Sequence, residues 1–318
     1  MAGASKKAVY AALFGNLAIA IAKLIAAIIT GSTAMWAESY HSFSDTFNQV
    51  LLLVGLKTSK KAATERHQFG YGKEQFFWSF VVATMIFGIS GVLSFQKGLE
   101  SILNPEYHLE NVYINYIILS IAIIFESNAL IVALKVFKKD IESHGRKFNL
   151  SSFFSEFRES KDPTILTVIV EDSAALLGII TALVGIFLAH ITNNVIYDAI
   201  SSLIIGCILM MFAIFLAKEN KDLLIGEALS KNETKKAIKA ILTIPEVDKV
   251  ISMRSMHLSP EDVLIAIEVH IIDGITTDNI ELIIDKIEHK VKEVIPYVNL
   301  SKIYVELERE NKKSKKTS

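Results

Sequence analysis

Cysteine is almost missing from this 318-residue chain, because Cys207 is the sole example and lies within an apolar run. One cysteine excludes a disulfide framework and a zinc site built from several thiolates. The formal charge is −1, so the chain lacks the basic excess that favours nucleic acid as a partner. The sequence also lacks His-Glu-x2-His, the helical motif of metalloproteases, and no motif pairs a nucleophile with a base. We therefore expect no enzyme, no prosthetic group and no nucleic-acid partner.

Hydrophobic residues are abundant, at 51% of the chain, and the mean hydropathy of +0.40 is too high for an ordinary soluble protein. A transmembrane helix needs about 20 mostly apolar residues. The first apolar stretch is too long for a signal-peptide core, so we expect it to be retained as a span. Six windows have the required length: 8–30, 34–56, 76–103, 112–137, 165–190 and 195–217.

Lysine and arginine alternate between the connecting loops. They occur before the first window and in the second and fourth loops, whereas the first, third and fifth loops have none. The positive-inside rule therefore predicts that both termini are cytoplasmic. The membrane is expected to be the cell membrane of a prokaryote or an organelle membrane. The phenylalanine-rich fourth loop, 138–163, fits either a short helix on the membrane surface or a partly ordered linker.

The last 101 residues, 218–318, are rich in charge and contain no further span. Periodicity predicts a helix over 232–243 capped by Asn232, strands over 247–259 and 263–272, a helix over 276–295 and a strand over 300–309. This order indicates a small α+β domain of the ferredoxin-like kind. The predicted architecture is thus a six-helix transmembrane domain, 1–217, followed by a cytoplasmic ferredoxin-like domain, 218–318.

The second window carries ionisable residues that are rare within a membrane. His41 and Asp45 are four residues apart, so a helix places them on one face, and Glu38 lies on the same side. Imidazole and carboxylate are ligands for first-row divalent metals. Charged groups at mid-bilayer cost at least about 2.5 kcal/mol, and they commonly mark ion pathways. The alternative is a buried polar network that joins helices without a metal.

The fifth window offers two more carboxylates, Glu171 and Asp172. Neighbours on a helix point about 100° apart, so a metal site of His41, Asp45, Asp172 and Glu171 requires Glu171 to lean toward Asp172. Glu171 is as well explained as a packing or proton-carrying group.

Other polar residues are weaker candidates. Glu126 in the fourth window fits a proton relay, a supporting group behind the metal site or a plain interhelical hydrogen bond. Lys23 needs a carboxylate or water, and Asn48 is better explained as a link between helices. His67 in the second loop has a weak chance of binding a peripheral metal. In the soluble domain, Glu268, His270, Glu306 and Glu308 give a similarly weak signal.

Taken together, the six spans, the His-x3-Asp pair, the acidic fifth span and the soluble tail resemble the cation diffusion facilitator family. The segments AESYHSFSDTFNQ (37–49), HQFGYGK (67–73) and DPTILTVIVEDSAALLG (162–178) are similar to the branch that contains zinc transporter nine. The resemblance covers nearly the whole chain. It implies a homodimer that exports divalent metal, usually zinc, in exchange for protons by alternating access.

The resemblance also implies a ligand set. It places His41 and Asp45 from the second span with Asp172 from the fifth. The family's fifth-span histidine falls on Val168, and Glu171 is the natural substitute. A site in which an oxygen ligand replaces one histidine nitrogen suits manganese or iron better than a site with two histidines does. The resemblance further pairs Lys73 with an acid near the start of the soluble domain, either Asp222 or Glu227. A membrane-bound metal sensor that does not transport stays open as the alternative function.

Overall fold

The computed structural model describes residues 2–104, 109–143, 149, 153, 157 and 162–308. Most of the predicted surface helix in the fourth loop, and the end of the tail, lie outside these residues. The chain divides into two compact units, one of Met1–Thr58 with Glu74–Lys221 and one of Ser59–Lys73 with Asp222–Ser318. The predicted boundary after Ala217 falls inside the last membrane helix, which continues to Ile225.

The first unit is made of long helices. Their bounds are α1 Ala2–Thr30, α2 Thr33–Thr58, α3 Glu74–Met85, a π-helical segment Ile86–Val92, α4 Leu93–Leu103, α5 Tyr113–Ser143, α6 Pro163–Thr192 and α7 Ile196–Ile225. A 30-residue helix is about 45 Å long, enough to cross a bilayer. Among the described residues, five helices are long and apolar enough to do so: α1, the continuous helix Glu74–Leu103, α5, α6 and α7.

The predicted second span, α2, is absent from that apolar set although it has 26 residues. Its buried face includes Glu38, Ser39, His41, Ser42, Ser44 and Asn48. These polar groups lower its hydropathy, and α2 packs against α1, α3, α4 and α6. The polar face of α2 is thus covered by protein, which is where polar side chains in a membrane can be satisfied, whereas Phe47, Val50 and Leu53 of its second half are exposed.

Local signals fix the ends of the helices. Asp162 accepts hydrogen bonds from the backbone nitrogens of Thr164 and Ile165, at 2.9 and 3.3 Å, and Pro163 opens α6. Asn193 ends the same helix in the left-handed conformation, with φ 52°. These are the expected helix start and stop residues.

The membrane helices approach closely because small residues lie between them. A Cβ on Gly98 of α4 would lie 2.7 Å from the Leu203 nitrogen of α7, and one on Gly206 of α7 would lie 2.6 Å from the Phe95 nitrogen. Backbone-to-backbone packing of this kind is typical of membrane helices. Phe153 and Phe157, from the fourth loop, pack against Phe137 of α5.

The second unit confirms the predicted helix and strand order. Its elements are α8 Lys231–Ile241, β1 Val247–Ser259, β2 Asp262–Ile271, α9 Thr277–Val294, a 3-10 turn Leu300–Lys302 and β3 Ile303–Leu307. The sheet order is β1-β2-β3, antiparallel between β1 and β2 and parallel between β2 and β3. Alternate residues of β2 (Val263, Ile265, Ile267 and Val269) face the helices and form the core.

The predicted cap of the first helix of the second unit is wrong. Ser230, not Asn232, begins α8: its hydroxyl accepts from the Glu233 nitrogen at 3.2 Å, and the Glu233 carboxylate accepts from the Ser230 nitrogen at 3.1 Å. This reciprocal pair is a capping box, and it satisfies two backbone donors at once.

Candidate metal site

His41 and Asp45 lie one turn apart on α2, as their spacing predicts. Nδ1 of His41 is 3.4 Å from Oδ1 of Asp45, and the two side chains are 1% and 13% exposed. Within the described part of the chain, neither ring nitrogen of His41 has a hydrogen-bond partner, and Oδ1 of Asp45 has none either. The pair is therefore positioned as a donor set and left without the protein partners that buried polar atoms normally have.

Glu171 and Asp172 lie on α6, which packs against α2. Oε1 of Glu171 accepts a hydrogen bond from Nδ2 of Asn48 at 2.6 Å, whereas Oδ2 of Asp172 is buried without a partner among the residues described. Asp45 interacts electrostatically with both carboxyl groups. The structure thus places the acidic pair of α6 near the donor pair of α2.

The four residues do not form a closed coordination sphere. Among the described residues, no three His, Cys, Asp or Glu side chains lie close enough together to hold a metal ion. Leaving buried polar atoms unmatched costs about 1–3 kcal/mol each. Both ring nitrogens of His41, Oδ1 of Asp45 and Oδ2 of Asp172 are among the buried polar atoms of the bundle that have no partner in the described part of the chain.

Val168 stands where the resemblance places a histidine. It is half-buried and packs with Leu52, Val82 and Val170 in an apolar cluster. This position is filled by hydrocarbon contacts and offers no ligand. Glu171, three residues later on α6, offers a carboxylate of which Oε1 accepts a hydrogen bond from Asn48.

Glu38, predicted as a weaker metal ligand, forms an ion pair with a lysine, and its ligation of a metal stays a prediction. Oε2 of Glu38 is 2.7 Å from Nζ of Lys23 on α1, and both side chains are fully buried. Lys23 also donates to Oγ of Ser42 at 2.9 Å. A Cβ on Gly178 of α6 would lie 2.6 Å from Oε1 of Glu38, so this glycine makes room for the carboxylate. Lys23 thereby has the carboxylate partner that the sequence required.

Glu126 on α5 is half-buried and interacts electrostatically with Lys23 and Glu38. It also acts on Asp45 at longer range. Its carboxylate thus belongs to the same charged region of the bundle, beside the ion pair. Ligation by Glu126 stays a prediction.

His67 lies in the loop that belongs to the second unit. It is exposed, its ring centroid is 4.5 Å from that of Tyr71, and its backbone bonds to Thr64. In the same unit, Nζ of Lys73 donates to the Leu224 carbonyl at 3.2 Å. A pairing of Lys73 with Asp222 or Glu227 stays a prediction, as does a peripheral metal at His67.

The sheet of the second unit keeps its acidic residues on the outer face. Glu268 and Glu306 are opposite each other in the parallel ladder, and Arg254 lies 3.6 Å from Glu268. Nδ1 of His270 is 3.0 Å from the Glu308 carbonyl oxygen. These contacts are those of a solvated strand face, and the part of the unit that is described has no metal-binding group of three.

Three contacts of the bundle were not foreseen in the sequence. They are the Lys23–Glu38 pairing, the Asn48–Glu171 hydrogen bond and a cap on α2 by Asp198. Each joins residues that are between 15 and 165 positions apart. The available signal was the presence of polar residues within the apolar windows, which indicates that they have partners but does not identify those partners.

The family model of the cation efflux transmembrane domain matches residues 9–225. The human protein named proton-coupled zinc antiporter SLC30A9, mitochondrial, is 30% identical over 74% of this chain and 40% of its own length. Metal tolerance protein C4 of Arabidopsis thaliana is 30% identical over 80% of this chain and 55% of its own length. The manganese efflux system protein MneP of Bacillus subtilis is 22% identical over 83% of this chain and 84% of its own length.

The chain thus spans about half or less of the length of the first two relatives. The match to the family model covers every membrane helix of the first unit and includes both the α2 and the α6 segments that carry the candidate ligands. The chain belongs to the cation efflux family, also called the cation diffusion facilitators, and to its zinc transporter nine-like branch.

Proposed function

We propose that the chain exports divalent metal cations across a membrane in exchange for protons, with zinc as the principal cargo. The observation that carries the proposal is the set of unmatched buried atoms on His41, Asp45 and Asp172. The names of the human and Arabidopsis relatives, a zinc antiporter and a metal tolerance protein, support a metal as the cargo.

Binding is expected to begin at α2. His41 and Asp45 already lie together, and a cation between α2 and α6 would draw in Asp172. Glu171 can join through Oε2 while Oε1 still accepts the hydrogen bond from Asn48. Asn48 would thus orient the Glu171 carboxylate toward the cation.

Proton exchange follows from the same donor set. Imidazole nitrogen and carboxylate oxygen must be deprotonated to hold a metal, so metal and protons compete for the same lone pairs. A change of access between the two sides of the membrane, with loading on one side and protonation on the other, would then couple the two fluxes. No further group needs to move protons for this exchange.

Manganese is the second candidate cargo. The donor set has one imidazole and up to three carboxylates because Val168 replaces a nitrogen ligand, and oxygen-rich sites suit manganese better than sites rich in nitrogen. The Bacillus subtilis relative is named a manganese efflux protein. Iron and cobalt are further alternatives of the same class.

The assembly and the topology belong to the same proposal. We infer a homodimer with both termini in the cytoplasm, supported by the family resemblance and by the lysines and arginines of alternate loops. No resident cofactor is required, because the metal is the cargo. The competing function is a metal sensor that binds the cation without moving it.

The test is metal flux into proteoliposomes under an imposed pH gradient, with zinc, manganese, iron and cobalt offered separately. The wild type is compared with His41→Ala, Asp172→Ala and the control His289→Ala, whose side chain is exposed on α9 of the second unit. We expect gradient-dependent flux that the first two variants lose and the third keeps. If the wild type binds metal stoichiometrically but shows no flux, the sensor function would be favoured over the transporter function.

A further inference from the structure

The first turn of α7 places a carboxylate at the beginning of α2. Asp198 is fully buried and accepts from Oγ of Ser32 at 2.8 Å and from the backbone nitrogens of Thr33 and Ala34 at 2.5 and 3.3 Å. The first backbone N–H groups of a helix have no partner within it, and the helix dipole favours a negative charge there. Asp198 therefore binds α2 to α7 through a charge-assisted contact.

The same turn of α2 is also tied to α4. Oγ1 of Thr33 donates to Oγ of Ser101 at 3.0 Å. About two turns deeper on α4, Oγ of Ser94 donates to the Ala37 carbonyl at 3.4 Å, and Oγ of Ser202 donates to the Ser94 carbonyl at 2.8 Å. Serine hydroxyls therefore join the three helices over the first turns of α2.

These contacts lie between the candidate metal site and one end of the bundle. Ala37 is one turn before His41, and Ala34, Met35 and Ala37 are fully buried. Outside them, a cavity of about 360 Å³ opens at the end of the bundle. It is lined by Gly31, Thr33, Trp36, Lys97, Glu100, Ser101 and Asn104. The cavity is a polar vestibule whose inner wall includes Thr33 and Ser101, both part of the joined region.

We propose that Asp198, Ser32, Thr33 and Ser101 form a latch that closes the transport path at the end of the bundle opposite the termini. This inference rests on the proposed transport function, and it assigns to Asp198 a positioning role rather than a place among the metal ligands. Export through the vestibule requires the latch to open, so that α2 separates from α4 and α7. The cation in His41 and Asp45 would then reach the cavity.

A thiol reporter beneath the latch tests this directly. In a Cys207→Ser background, Ser94→Cys replaces a buried hydroxyl by a thiol of similar size. The purified full chain is reconstituted in liposomes and treated with a membrane-impermeant maleimide from the vestibule side. We compare the labelling rate with and without Asp198→Asn. This substitution removes the negative charge and places the amide N–H group of the new side chain against a backbone N–H group of α2.

We expect Asp198→Asn to raise the labelling rate at least about tenfold, since hydrogen bonds to charged groups are the stronger ones and 1.4 kcal/mol is a factor of ten. Ser101→Ala should raise it less. Glu100→Gln, which changes a charge of the same vestibule and touches no latch residue in the described contacts, should leave it unchanged. Equal labelling of the reporter with and without the Asp198→Asn substitution would overturn the latch.

Flux measurements on the same proteoliposomes separate this inference from the proposed function. If the wild type shows no metal flux but Asp198→Asn is labelled faster, the transport function is refuted and the latch is supported. If flux is normal but the labelling rate is the same with and without Asp198→Asn, the transport function is supported and the latch is refuted. Circular dichroism and elution volume verify that each variant is folded, and Ser101→Ala supplies the test if Asp198→Asn is not.

Discussion

Two groups of charged side chains lie within one turn of each other on α2 and differ in their contacts. Glu38 is paired with Lys23 at 2.7 Å, and Lys23 also donates to Ser42. His41 and Asp45 approach each other at 3.4 Å, and both ring nitrogens of His41 and Oδ1 of Asp45 have no hydrogen-bond partner among the described residues, as is also true of Oε1 of Glu38. The chain thus supplies a lysine for Glu38, and this ion pair serves the fold, whereas the imidazole and carboxylate beside it can serve a cargo.

The largest expected effect is on metal binding, which tests the proposed ligands in this comparison. Asp45→Asn and Asp172→Asn each remove a carboxylate from the donor set. Residues behind the ligands already cost about 10–100-fold in metal affinity when changed, so losing a ligand should cost more than about 100-fold. Isothermal titration of zinc into the detergent-purified chain measures it.

The matched control for this experiment is Asp273→Asn, since Asp273 is an exposed aspartate in the turn after β2 of the second unit. It should bind zinc as the wild type does. An Asp45→Asn protein with unchanged zinc affinity would contradict the assignment of Asp45 as a ligand.

The second effect concerns the ion pair of Lys23 and Glu38. Lys23→Met leaves Glu38 buried without its counter-charge, which should destabilise the bundle by about 3–5 kcal/mol. Lys23→Met combined with Glu38→Gln removes both charges and should recover most of the stability, because no charge is then left alone. Thermal unfolding in detergent, followed by tryptophan fluorescence, provides the measurement. Equal melting temperatures for the single and double variants would show that the pair contributes no coupling.

The smallest expected effect sharpens the comparison in the second unit, where Glu233 is another carboxylate with partners from its own chain. Burial by itself raises the pKa of Glu233, but hydrogen bonds from Tyr297 and Ser230 outweigh it and leave the pKa below its ordinary value. The hydroxyl of Tyr297 donates to Oε1 of Glu233 at 2.7 Å. Since the folded pKa is depressed, this stabilisation is present above the unfolded pKa of about 4.3 and is lost as the pH falls through the folded value.

Tyr297→Phe deletes the donor and should cost about 1 kcal/mol at pH 7 and less near pH 4. Hydrogen exchange of the α8 amides in the full chain, corrected for intrinsic rates at each pH, measures this loss of stability. Tyr304→Phe, on an exposed tyrosine of β3, is the control. A cost from Tyr297→Phe that grows toward pH 4 would reverse the sign worked out for Glu233.

What could be predicted from the sequence is what depends on short separations. The spacing of His41 and Asp45 is four residues, so the helix alone brings them together. The strands and helices of the second unit follow from local periodicity, and the capping box of Ser230 and Glu233 was readable as Ser-x-x-Glu. Choosing Asn232 as the cap ignored that reciprocal pattern.

What could not be predicted depends on which helices pack together. The partner of Glu38 lies on α1, and the cap that Asp198 offers to α2 comes from a helix more than 160 residues later. Asn48 can bond to Glu171 only because α2 and α6 are neighbours. One sequence records that such groups are polar, but not which helix faces which.

The pairing of Lys23 with Glu38 has a consequence for how the chain enters the membrane during synthesis. A lysine or an acidic residue at the centre of a helix costs about 2.5–3.5 kcal/mol on insertion, and α2 contains Glu38, Asp45 and His41. The turn at Gly31 leaves α1 and α2 adjacent, so Lys23 and Glu38 can cancel each other as soon as both helices have emerged. The two helices therefore insert most readily as one hairpin, and the side chains that hold the finished bundle together also lower the barrier to building it.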